Sequence, residues 1–212
     1  MRNVVHYEPV SQNILLVTSG FFHPPYSGRL TLHQALGELD GFAFRHVPSL
    51  ERLPANLEQY SALVLYYHHK TISDAALARF EGFTAGGGGV LAVHSATASF
   101  KESPRYSEIL GGRFSGHGPL ESFEVRSRNY NIFRGIEPFT LRDELYLHEL
   151  EPGIDVHFTA MHGSGETPVV WTHRYKQGRV CYVEPGHTTS SLKHPAVQEI
   201  LRRGLQWVCG AE

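Results

Sequence analysis

Cysteine is scarce in this chain. Cys181 and Cys209 are the two cysteines among 212 residues, and they form no CxxC pair. That excludes a disulfide framework and a zinc knuckle, and both thiols are expected to be inert packing groups, Cys181 in a strand and Cys209 near the end of the last helix. Long apolar runs are missing too. No stretch reaches the length of a membrane span, and residues 1–9 carry neither an apolar core nor a small-residue cleavage site, so no membrane partner is expected and the cytoplasm is the expected location. Charge of one sign is also absent. With 19 Lys and Arg against 21 Asp and Glu the net charge is −2; no basic field is available for nucleic acid and no charged tail is present. Repeats, low-complexity linkers and domain boundaries are lacking, so residues 1–212 read as a single domain, with 41% hydrophobic residues to build one core.

What is present is histidine, 14 residues of it, many at the ends of predicted elements. The most telling stretch is 86–97, where four glycines feed Val90-Leu91-Ala92-Val93 and the apolar run stops at His94-Ser95. A short apolar run bounded by glycine reads as a buried parallel strand, and groups just past its carboxyl end sit where open α/β sheets bind ligands. Further strands are expected at 14–19, 42–47, 60–67, 123–126, 158–162, 168–173 and 179–183. Helices are expected at 30–39, 74–84 (capped by Ser73), 104–110 and 195–208 (opened by Pro195). Residues 20–25, 113–119 and 184–187 read as loops, 127–150 as polar and irregular, and Gln177-Gly178 as the turn of a β-hairpin. The alternation of strand and helix argues for a parallel sheet covered on both faces.

Several groups carry chemistry. His94 is a candidate base, acid or metal ligand, and Ser95 a candidate for positioning a substrate or capping a helix. Ser95 lacks the G-x-S-x-G setting of an activated serine, so nucleophilic serine chemistry is disfavoured. His187, after strand 179–183, is expected to share the rim with His94; His194 either reaches the same rim or caps the final helix. His23 and the glycine-flanked His117 are further rim candidates. Within Asp143-Glu144-Leu145-Tyr146-Leu147-His148, a helix would pair Glu144 with His148, and a strand would put Glu144, Tyr146 and His148 on one face. Histidines and carboxylates converging from separate loops suit a divalent ion such as Zn²⁺, although no HExxH spacing is present.

The chain resembles the ThuA-like proteins associated with trehalose utilisation. The resemblance is carried by residues 14–20 with His23, 87–97, 110–117, Asp143-Glu144-Leu145-Tyr146, 168–171, 178–187 and 200–207, and it spans nearly the whole chain. The loop after His23 departs from it, being short and proline-rich. The resemblance implies a branch of the class I glutamine amidotransferase-like fold: a flavodoxin-like three-layer α/β/α sandwich, with a mostly parallel sheet and a C-terminal β-hairpin. True amidotransferases place a cysteine nucleophile at the elbow, with a His and a Glu after a later strand. Here the elbow carries His94, and His187 is followed by Thr188 and Thr189 rather than an acid. A glutaminase needs its thiolate, so that activity is not expected.

What the resemblance implies is use of a sugar derivative, trehalose or another disaccharide or its keto form. On this reading His94, Glu144 and His187 are catalytic, His23, Ser95, His117 and Tyr146 bind substrate, and His148 with Glu144 holds a divalent metal. The partner is a small sugar derivative, with a homodimer as the default assembly. Two alternatives stay open: a lyase, isomerase or hydrolase using histidine base chemistry, and a non-catalytic sugar-binding or regulatory module on the same scaffold. A thiol hydrolase is a weaker third.

Overall fold

The computed structural model describes residues 11–19, 25–128 and 132–211. His23 lies outside the described residues. Among them, β1 (Gln12–Ser19), β2 (Phe42–Val47), β3 (Ala62–Tyr67), β4 (Gly89–Val93), β5 (Gly112–Ser127), β6 (Phe139–Leu150), β7 (Asp155–His162), β8 (Gly165–Tyr175) and β9 (Gly178–Val183) form one sheet in the order β2-β1-β3-β4-β9-β8-β7-β5-β6. The helices are α1 (Pro25–Gly37), α2 (Asp74–Ala85), α3 (Pro104–Leu110), α4 (Thr189–Leu192) and α5 (Pro195–Val208).

Strands β2, β1, β3, β4 and β9 run parallel. Their apolar runs bury both faces. In β1, Ile14 and Leu16 join one core with Leu32 and Leu36 of α1 and Val197, Ile200 and Leu201 of α5. Leu15 and Val17 join the other, with Leu77 and Phe80 of α2 and Ile109 of α3. This period of two, repeated along strands apolar at every position, is what a sheet covered on both faces requires. Ser73 caps α2 by accepting from the Ala76 amide at 3.2 Å, as its sequence position implies.

The sheet is mixed rather than mostly parallel. From β9 onward β8, β7, β5 and β6 pair antiparallel. The β8–β9 hairpin forms at the expected turn, with Lys176 at φ +54°. Most of the extra pairing is β5 with β6, running from Gly112 opposite Leu150 to Val125 opposite Phe139. Residues 113–119 are therefore strand, not loop, and much of 127–150 is strand too. Residues 119–122 of β5 are all exposed, and the alternate positions before them are largely glycine, histidine and serine, so 113–122 lacks the apolar alternation by which a half-buried strand is recognised. Shifts in register between Phe114 and Gly116 and between His117 and Leu120 bend β5 where it meets the rim. No described helix is long and apolar enough to cross a membrane.

Candidate functional site at the carboxyl edge of the parallel strands

At the end of β4 the backbone turns sharply. Val93 is extended at φ −123°, and the 3-10 turn His94–Ala96 begins with His94 at φ +45°. A bulky residue in the left-handed region is a strained arrangement that surrounding structure must hold. Here the support is close. A Cβ added at Gly186 would lie 2.7 Å from His94 Cβ, so only glycine lets the 184–187 loop cross the elbow. His94 is fully buried. Its Nδ1 donates to the Glu184 carbonyl at 2.8 Å, an assignment that leaves the lone pair of the neutral ring on Nε2.

The 184–187 loop is pinned from two sides. The Gly186 amide donates to Asp143 Oδ2 at 2.8 Å, and its carbonyl accepts from Tyr66 Oη at 2.9 Å. This brings the His187 ring to 5.7 Å from that of His94, edge to face. It also sets His187 Nδ1 3.0 Å from Glu144 Oε2. The acid missing after His187 in the sequence is thus supplied by β6. His117 Nδ1 approaches the same Glu144 oxygen at 3.8 Å from the bent part of β5. Tyr146 lies against His94 with centroids 4.0 Å apart.

Behind these groups sit two buried carboxyls. Glu184 is fully buried; its Oε1 accepts from the Tyr146 amide at 3.1 Å, and among the described residues its Oε2 has no hydrogen-bond partner. Burial, then the neighbouring Asp143, pushes its acid well above the usual carboxylate range, so Glu184 is held protonated. Burial raises Asp143 too, against hydrogen bonds from Ser191 and the amides of Gly186 and Glu144. Burial first, then Glu144, raises the Tyr146 phenol, which stays protonated and able to donate.

His94, Glu144 and His187, far apart in sequence, thus meet: each offers one ligand atom, and these atoms all lie within 4.8 Å of one another. Tyr146 and His117 border them. The other candidates do not join. Residues 143–149 form a strand, yet His148 is not drawn to Glu144. Its Nε2 bonds Thr97 Oγ1 at 2.9 Å, its ring packs 4.9 Å from Trp171 and 5.1 Å from Tyr182, and burial lowers it to about 3. Ser95 is buried, and among the described residues its Oγ has no hydrogen-bond partner. His194 caps α5 through Nδ1, 3.3 Å from the Ala196 amide, and stacks on Phe139. Neither thiol reaches the elbow: Cys181 is buried within β9, and burial pushes Cys209, at the end of α5, up to about 12. The carboxyl of Glu184 and the phenol of Tyr66 are site elements that the sequence pattern did not single out, and Asp143, marked there only as part of the stretch 143–148, holds the 184–187 loop. The one signal for Glu184 was its place in Glu184-Pro185-Gly186-His187.

Residues 13–208 match the ThuA family model, described as trehalose utilisation, and the chain belongs to that family. No curated protein matches it. Among solved structures it is similar to a ThuA-like protein from Parabacteroides merdae, with 20% identity and a TM-score of 0.84 over 94% of this chain and 90% of that one. A ThuA-like protein from Bacteroides uniformis gives 18% identity and a TM-score of 0.76 over 98% and 95%. A cytoplasmic protein from Salmonella typhimurium gives 14% identity and a TM-score of 0.72 over 93% and 99%. At these identities the likeness is one of fold.

Proposed function

We propose that this ThuA-family protein acts on a sugar derivative, a keto form of trehalose or of another disaccharide, bound where His94, Glu144 and His187 meet. The family's tie to carbohydrate utilisation supports the substrate class. The scaffold reads as a flavodoxin-like α/β/α sandwich of the class I glutamine amidotransferase-like type, with the elbow at His94 and helices on both faces in support. Glutaminase chemistry does not fit, because the elbow holds an imidazole and both thiols lie elsewhere.

One observation carries the mechanism: the His187–Glu144 pair at 3.0 Å stands beside the His94 ring. A sugar ketone acidifies the C–H next to it. His187, oriented by Glu144, accepts that proton and returns it to the departing oxygen or to the neighbouring carbon, giving elimination or isomerisation with no covalent intermediate. The protonated Tyr146 and the exposed His117 orient the sugar hydroxyls.

The same three side chains also fit a divalent cation such as Zn²⁺. Two imidazoles and a carboxylate with an open side form a common donor set, and the Nδ1–H of His94 held by a main-chain carbonyl is the usual outer support of such a ligand. When bound, the ion supplies polarisation of the sugar carbonyl. His117 is then the imidazole left to carry the proton, 3.8 Å from Glu144.

A second reading is a sugar-binding module without turnover, favoured by the complete burial of His94. One experiment separates the two. Purified protein is incubated with 3-keto-disaccharides, with Zn²⁺ and with chelator, while calorimetry follows binding. Product formation under either condition supports the enzyme; tight binding with no product under any condition supports the module; neither binding nor product contradicts both.

A further inference from the structure

At the opposite edge of the sheet, by the amino ends of the parallel strands, lies a groove of about 1260 Å³. It runs past Gln12 of β1, Ser61 before β3 and Gly88 before β4. At roughly 3.3 Å per residue, the length of β4 alone separates it from His94 by about 17 Å, so it is distinct from the site above.

Its charge is unbalanced. Arg79, Arg174 and Arg179 line it, with Glu58 as the acid among the lining residues. Arg174 on β8 and Arg179 on β9 are direct cross-strand partners, so both project to one face with Cβ atoms about 5 Å apart. Like charges directly opposed in this way destabilise a hairpin. Among the described residues no carboxylate lies within 4.0 Å of any of the three guanidinium groups, as is also the case for Arg45, Arg52 and Arg142. Two of the three are also held in place. Arg179 Nη1 donates to the Trp207 carbonyl at 3.0 Å, and Arg79 Nη1 to the Leu53 carbonyl at 2.8 Å. The remaining N–H groups of a fixed guanidinium are what a phosphate recognises. Asn56 and Gln177 add amides suited to hydroxyl groups.

We propose that this groove binds a phosphate-bearing small molecule, seated against the facing pair Arg174 and Arg179. Its binding does not rest on the keto-sugar reading of the other edge. The test is calorimetry on the full chain with inorganic phosphate, glucose 6-phosphate and ATP, whose relative affinities identify the source of the phosphate. At least one is expected to bind. Arg174→Glu should weaken it by about tenfold or more while leaving the thermal midpoint unchanged or higher, since the new carboxylate faces Arg179. Arg174→Gln should weaken it too, and His94→Ala should not. Binding of none of the three ligands, or binding undiminished in both Arg174 variants, overturns the proposal.

Discussion

Gly186 presses on His94: the place where a side chain would begin at 186 is 2.7 Å from the Cβ of the elbow imidazole. The loop carrying His187 and the turn carrying His94 are therefore mutually fitted, and neither moves without the other. Gly186→Ala is expected to cost about 1–3 kcal/mol through overpacking. Urea unfolding measures it; an unchanged midpoint would show that the loop yields freely.

The elbow gives a second expectation. His94 sits at φ +45°, where an L-residue costs about 1–2 kcal/mol that glycine does not incur. His94→Gly should therefore be more stable than His94→Ala by about 1 kcal/mol, the reverse of the order expected at an ordinary strand end. Equal stabilities by denaturant unfolding would contradict the strained turn.

Glu184 makes stability depend on pH. Its acid is raised well above 4.5 in the folded state, so the folded protein holds this proton more tightly than the unfolded chain. The stability it contributes is complete below about pH 4.5 and is lost as pH rises from there toward the raised value. Glu184→Gln should flatten this fall, gaining on the parent protein as pH rises from about 4.5 toward the raised value. Unfolding free energies of both proteins across that range provide the check.

His148 acts in the opposite direction. Burial lowers it from 6.5 to about 3, so unfolding takes up a proton between those values. Stability from this residue is complete above about pH 6.5 and falls as pH drops toward 3. His148→Phe should remove that acid sensitivity, although it leaves Thr97 without this partner. The slope of unfolding free energy between pH 4 and 6 is the measurement.

These residues show how far the sequence could be read. The strands that end at His94 and His187 are apolar at almost every position and bounded by glycine, so their place at one rim followed from pattern alone. Helices α2 and α5 announced themselves through Ser73 and Pro195. Strands β5 and β6 did so only in part: residues 119–122 of β5 are all exposed, and in β6 the alternation of Leu141, Leu145 and Leu147 is interrupted by the buried acid Asp143, which in sequence reads as polar. That is why Glu144, Tyr146 and His148 stayed open between helix and strand, and why the metal assignment went to His148. In the strand His148 turns instead to Thr97 among aromatic rings. The buried Asp143 and Glu184 were hidden for a different reason: a carboxyl group in sequence looks solvated, and only packing shows that these two hold the loop together. His187 was legible from its place just past strand 179–183, on the rim that also holds His94.

We propose that the His187–Glu144 pair beside His94 does the chemistry on a keto sugar. The most direct test compares turnover of a 3-keto-disaccharide by the parent protein and by His187→Ala, each at its best Zn²⁺ concentration and each confirmed folded. Product is expected from the parent, with a rate lower by about a hundredfold or more in the variant. Equal rates for the two proteins would contradict it.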